Sequence, residues 1–423
     1  MKNPPKFSRR KTLLFYGIMA LVGFMFMEIS LQLFYFISAK GSFLWERSTR
    51  NFYELDPIRG FRIKPNLSYR FNTNEFQTMV YTDSQGFRSS KNNVMVPIKK
   101  PKHRKRLLHL GNSFTFGWGL NYQETYPALL NESLNRDGHD VDFLNAGIPG
   151  QSPSNQFCWL KKVGHSYEAD LIVVMRYSAL SEGTLWHLPF TDLNTPLIDP
   201  CSRVPNYVIK DGYLISYHFD WQSGVVEEED TANKIDRKPV PLFHRILPLL
   251  IKLKNSAMVF YSFHAYNGLL RIFQHYNQDY DALFDNTIIP HTPYDRSLHL
   301  IVNSYKKFLD YAKNVNGPET KVLFLYIPPS YVVHREDIPR WTGYHKLKGL
   351  TNPENIDILV HNNQIIVQAL RSTGIRIIDM TPFLINKAKN KRVYYWLDAH
   401  LTPAGAQVVS QVLSKEVKEI FSW

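Results

Sequence analysis

Cysteine is scarce: Cys158 and Cys201 are the only two in 423 residues. Neither has the spacing of a zinc site, so a cysteine-held metal is excluded, and no organic cofactor is indicated either. The pair could join in an oxidising compartment, which the sequence leaves open. Cys158 falls in an expected helix, where a buried small hydrophobe is the default. Internal repeats, low-complexity segments and nucleic-acid-binding motifs are absent. Acidic residues are outnumbered 37 to 50, leaving a net charge of +13. That balance suits acidic glycans, anionic lipid or nucleic acid. Its distribution argues against nucleic acid. Lys2, Lys6, Arg9, Arg10 and Lys11 lead the chain, and Lys99, Lys100, Lys102, Arg104, Lys105 and Arg106 form a run that reads as a solvated linker.

Long apolar runs are few as well. The one that stands out, residues 13–37, is interrupted mainly by Glu28 and is long enough to cross a bilayer core of about 30 Å as a helix. The positive charges ahead of it predict a cytoplasmic N-terminus, with everything after Ala39 exported. The expectation is a single-pass signal anchor in residues 1–40, with an exported main body. Residues 38–41 keep a cleavage option open. Glu28 should lie toward the far interface or pair with a partner helix.

Beyond the anchor, 44% hydrophobic and 14% aromatic residues indicate a packed body. Residues 41–105 read as a small β-rich pre-domain and linker, with aromatics among turn residues. From 106 to 423 the pattern alternates. Apolar strands are expected at 107–110, 141–145, 170–177, 321–327 and 375–379, with helices at 125–136, 153–163, 353–372 and 403–420. That alternation predicts a three-layer α/β/α, flavodoxin-like fold around a parallel sheet. Residues 181–320 read as an insertion capping the open edge of the site.

The chemistry concentrates at two places. Leu110-Gly111-Asn112-Ser113-Phe114-Thr115-Phe116-Gly117 follows the first strand, and open α/β sheets place their ligands at such strand ends. Ser113 alone is most simply a turn residue. A serine becomes a nucleophile when a base takes its proton, and His400 with Asp398 two residues earlier supplies a candidate base and its orienter.

These blocks resemble the SGNH (GDSL-like) hydrolase superfamily, in its membrane-anchored bacterial branch. The family's first block is similar to residues 111–117, its second-block glycine to Gly147, and its last block to residues 398–405. Likeness covers 81–177 and 322–413. The resemblance implies Ser113 as nucleophile, His400 as general base and Asp398 as its partner. It also implies an oxyanion hole from the backbone N–H groups of Ser113 and Gly147. Two departures stand out. Asn112 replaces an aspartate that braces the turn, and Ala179 falls where a third oxyanion donor, an asparagine, is expected. Losing one such donor costs about 10²–10³ in turnover. Arg176, Ser178 or Asn155 are the candidate replacements.

Two readings remain open. One is a serine esterase or acyltransferase acting on an acyl-ester or glycan substrate through an acyl-enzyme. The other is a weakly active or inactive scaffold that works with envelope-assembly proteins. The first keeps a use for Ser113, Asp398 and His400; the second accounts for Ala179 and Asn112.

Overall fold

The computed structural model describes residues 9–38, 41, 49, 51–73, 75–151, 153–177, 207–210, 213–219, 226–228, 261, 295–337 and 353–423. The chain divides into two compact units: residues 1–48, 72–77 and 231–278 form one, and the remainder forms the other.

In the first unit, α1 (Arg9–Ser38) is a 30-residue helix, of which Arg10–Ser38 is long and apolar enough to cross a membrane. Glu28 has a companion on its own helix: one turn later, the Gln32 side-chain amide donates to Glu28 Oε1 at 2.9 Å. An intrahelical hydrogen bond of this kind lowers the cost of an acidic side chain in an apolar segment.

The second unit is built on five parallel strands: β6 (Lys105–Leu110), β7 (Val141–Asn145), β8 (Leu171–Tyr177), β12 (Lys321–Ile327) and β13 (Ile377–Asp379). Their spatial order is β7-β6-β8-β12-β13. Runs such as Leu107, Leu108 and Leu110 are buried irrespective of the face they point to, as a sheet covered on both sides requires. One face packs on α4 (Pro153–Lys162), α5 (Asp295–Asn316) and α7 (Pro353–Ser372). The other packs on α3 (Tyr126–Arg136), the single-turn α6 (Ser330–Val333), α8 (Thr381–Ala388) and α9 (Pro403–Phe421). The architecture is therefore three-layered α/β/α, as the sequence predicts.

Helix α5 differs from expectation. It lies inside the stretch read as an insertion, yet Tyr305, Phe308 and Ala312 repeat at helical spacing and pack into the core beside Phe157 and Phe324. The last part of 181–320 thus covers the sheet rather than the site. Earlier in that stretch, β9 (Tyr207–Lys210), β10 (Tyr213–Phe219) and β11 (Val226–Glu228) form an antiparallel sheet. Residues 242–254, whose sequence reads as an amphipathic or buried segment, lie outside the described residues. Cys158 is buried and disulfide-bonded; Cys201, the other cysteine of the sequence, lies outside the described residues.

The basic run before β6 is only in part solvated: Lys99, Lys102 and Lys105 are exposed, but the run ends in the core. Arg106 is fully buried. It pairs with Asp142 at 3.0 Å and donates to the carbonyls of Pro97, Ile98 and Tyr167. Lys100 reaches Asp170 at 2.6 Å and Arg104 reaches Asp140 at 2.6 Å. A buried guanidinium is tolerated only when its donors are matched. Aspartates at the N-terminal ends of β7 and β8 do that here, so these charges strap the sheet at the end opposite Ser113.

The pre-domain strands β1 (Tyr53–Asp56) and β2 (Gly60–Ile63) form an antiparallel hairpin. Phe52, Phe61, Ile63 and Val80 share one apolar cluster with Phe116 and Ile148 of the α/β body, and belong to the same compact unit. The next two strands, β3 (Ser68–Asn72) and β4 (Gln77–Thr82), lead into a turn before β5 (Arg88–Ser89). There Asp83 Oδ1 accepts the N–H groups of Gln85 and Phe87 at 2.8 and 2.9 Å.

Burial pushes the Asp83 carboxyl up to about 6, against the lowering effect of those N–H groups. Its folded pKa lies above its unfolded one, so folding takes up a proton. This group's contribution therefore favours the fold more as pH falls from above 6 toward 4, and the buried carboxylate is a net cost at pH 7. Asp83→Asn retains the acceptor without the charge. It is expected to raise unfolding stability at pH 7 by up to about 3 kcal/mol, with the gain vanishing near pH 4. Denaturant titrations of both proteins at the two pH values check this.

Candidate active site

Ser113 opens a single-turn helix, α2 (Ser113–Phe116), directly after β6. Strand β6 is where the chain order reverses, with β7 on one side and β8 on the other, so Ser113 stands at a topological switch point. Asn112 caps the turn: its side chain accepts the Phe114 N–H at 3.1 Å. An amide oxygen performs this bracing as a carboxylate would, without the charge. Gly117, at φ 82°, ends the turn, and the N–H groups of Gly117 and Trp118 both reach the Ser113 carbonyl at 3.0 Å.

The His400 segment is a tight loop leading into α9. Tyr394 and Leu401 form an antiparallel bridge. Thr402 N donates to the Val393 carbonyl at 3.0 Å, and the Thr402 hydroxyl to the Arg392 carbonyl at 2.8 Å. Between Asp398 and His400, Ala399 takes a left-handed backbone at φ 64°, a conformation that costs a non-glycine residue energy. The two flanking side chains meet: His400 Nδ1 lies 2.5 Å from Asp398 Oδ1. The opposite ring nitrogen, Nε2, lies 2.7 Å from Ser113 Oγ.

Asp398 acts only as an acceptor when ionised, so Nδ1 carries the imidazole proton and Nε2 is left to accept the Ser113 hydroxyl. The Phe114 ring lies 4.9 Å from the His400 ring. Asp398 and His400 are each 22% exposed, within reach of a bound molecule. The sequence thus brings together residues 287 positions apart. His109, on β6, is no rival base: burial drives its pKa down to about 3.

The other expected residues are placed differently. Gly147 does not present a free amide. Its N–H donates to Asn145 Oδ1 at 3.1 Å, while Asn145 Nδ2 donates to the Thr115 carbonyl at 2.8 Å. A Cβ on Gly147 would lie 2.5 Å from Phe116 N, so this glycine lets the loop after β7 pass under α2. Further along the loop, Gly150 is exposed at φ 82°, and its N–H has no hydrogen-bond partner among the described residues. The sequence signal for it was the second glycine of Gly147-Ile148-Pro149-Gly150.

Arg176 Nη1 donates to the Tyr305 hydroxyl at 2.9 Å. Asn155 is buried, and its Nδ2 donates to the Arg59 carbonyl at 2.8 Å. Neither bonds Ser113 or His400. Ser178 and Ala179 lie outside the described residues. Among the described residues no cluster of three His, Cys, Asp or Glu side chains could hold a metal ion.

Comparison with known proteins agrees with the resemblance in sequence. Residues 305–421 match the family model described as an SGNH hydrolase-like domain, acetyltransferase AlgX. This segment contains Asp398 and His400 but not Ser113. A curated arylesterase of Vibrio mimicus is 29% identical over 70 residues, 16% of this chain. The chain spans about a third of that relative's length, 35%. Among solved structures, the lipase Lip_vut3 from a goat rumen metagenome aligns at TM-score 0.36 and 11% identity, over 74% of this chain and 96% of its own. The acetylxylan esterase Axe2 from Geobacillus stearothermophilus aligns at TM-score 0.35 and 10% identity, over 74% and 94%. By the family model, residues 305–421 are similar to an SGNH hydrolase-like domain.

Proposed function

We propose that this SGNH hydrolase-like protein is a membrane-anchored, exported serine esterase or acyltransferase, acting through an acyl-enzyme on Ser113. The observation that carries the reading is the continuous relay from Ser113 Oγ through His400 to Asp398, at 2.7 and 2.5 Å. Ser113 Oγ attacks the acyl carbonyl as His400 Nε2 takes its proton, and Asp398 stabilises the resulting imidazolium. The oxyanion is received by the N–H of Ser113, one of the orphan donors at the start of α2, together with that of Gly150. His400 then returns the proton to the departing alcohol. Water completes hydrolysis of the acyl-enzyme, whereas a sugar hydroxyl completes transfer.

The acetyltransferase in the family description favours a small acyl group such as acetyl; the acceptor in this reading is a glycan hydroxyl. Helix α1 and the positive charges ahead of it support an anchor with the α/β body outside the cytoplasmic membrane. A scaffold role beside envelope-assembly proteins is the second reading. It draws on the Gly147 amide being taken by Asn145 and on alanine at position 179. Release of p-nitrophenol from its acetate by the full chain in detergent, beside Ser113→Ala, separates the two. The wild type is expected to exceed the variant by at least about 10³-fold; equal rates would leave the scaffold.

A further inference from the structure

The relay needs two distant segments to hold one register; the Phe114 and Trp118 rings lie 4.9 and 6.2 Å from the His400 ring, and Tyr395 adds a directed hydrogen bond across the two segments. Tyr395 belongs to the His400 segment. Its N–H donates to the His400 carbonyl at 2.8 Å, and its own carbonyl accepts the Ala399 N–H at 3.2 Å, so its backbone frames the Asp398–His400 turn. Its hydroxyl leaves that segment and donates to the Gly119 carbonyl at 2.9 Å. Gly119 follows Trp118, whose N–H is bonded to the Ser113 carbonyl. A closed circuit results: Ser113 to Trp118 and Gly119, across the phenol to Tyr395, on to the His400 backbone, and back through Nε2 to Ser113 Oγ.

The neighbouring carbonyl, that of Leu120, is gripped from another direction. Arg88 Nη2 donates to it at 2.8 Å, and the guanidinium sits 4.8 Å over the Phe116 ring. The stretch behind Ser113 is therefore fixed to β5 by Arg88, while the Tyr395 hydroxyl ties it by a hydrogen bond to the segment that carries the base. Proton transfer is steeply sensitive to that separation, since misplacement of about 1 Å can cost 10² in rate.

We propose that Tyr395 is a positioning residue: its hydroxyl sets the separation between Ser113 and His400, and so governs the acylation step rather than substrate binding. The inference rests on the function proposed above. In the full chain in detergent, Tyr395→Phe is expected to lower kcat for ester cleavage roughly tenfold, with KM changed less than about twofold. In a His400→Ala background the same change should cost less than about twofold, because no alignment is left to lose. Equal losses in both backgrounds, or none in the wild type, would overturn the proposal.

A second readout does not depend on turnover. The ¹⁵N shift of His400 Nε2 reports whether it accepts a hydroxyl, and Ser113→Ala supplies the reference for a lost partner. In Tyr395→Phe the shift should move toward that reference. A shift identical to wild type overturns the inference even if no ester is cleaved. An inert wild type whose Nε2 shift differs from Ser113→Ala would instead tell against the esterase reading.

Discussion

His400→Ala is expected to lower ester cleavage by at least about 10³-fold while leaving the protein folded. Without the imidazole, Ser113 Oγ has no acceptor for its proton, and an unassisted hydroxyl is a weak nucleophile near neutral pH. The structural cost should be small because the ring is partly exposed and the loop is held by its backbone. The Tyr394–Leu401 bridge and the Thr402 contacts do not involve the imidazole. Asp398→Asn tests the same relay more finely. An amide nitrogen facing Nδ1 favours the wrong tautomer and turns an N–H toward Ser113; a fall of about 10⁴ is the precedent for such a change. Steady-state turnover and fluorophosphonate labelling of Ser113 check both variants. A His400→Ala protein within tenfold of wild type would sink the esterase reading.

Gly147→Ala is expected to unfold the protein at markedly lower temperature. The added methyl would lie 2.5 Å from Phe116 N, 2.7 Å from Thr115 Cβ and 2.9 Å from Thr115 C. Two of these atoms are backbone of the turn that carries Ser113, so no side chain can swing aside. Overpacking of this kind costs about 3 kcal/mol, a fall of roughly 3–5 °C in Tm for a chain of this length. Any relief by moving α2 would displace Ser113 from His400, so turnover should fall as well.

The variant retains the N–H of residue 147. A glycine needed only as an oxyanion donor would tolerate the change, whereas one needed for close passage would not. Gly138→Ala is the control: its φ is 91°, but nothing lies within 4 Å of the added carbon. That substitution should cost about 1 kcal/mol from backbone strain alone. Thermal melts of the three proteins decide between the roles.

The sheet was legible because parallel strands buried on both faces appear as unbroken apolar runs, and β7 and β12 have the bounds expected of them. Strand β13 is shorter than its run, beginning at Ile377 rather than 375. Helices α2 and α8 were missed because four and eight residues give periodicity too little length. Helix α5 was hidden in a stretch whose surroundings have mixed composition.

At the site, the short spacing of Asp398 and His400 could be read directly, and so could a serine at a strand end. What packs under a glycine could not: Gly147 and Gly150 look alike in sequence, yet one is wedged beneath α2 and the other is exposed. The basic run misled for a related reason. Arg106 is satisfied by Asp142, a neighbour only across the sheet, and local charge density carries no trace of that.

The long interval between Ser113 and His400 also orders events in time. Synthesis delivers the alcohol early, with β6, while the imidazole follows only after β13 and just ahead of the closing helix α9. Until that segment is made, the growing chain holds Ser113 with no imidazole beside it, and the hydrogen-bonded set is complete only once the loop ahead of α9 has folded.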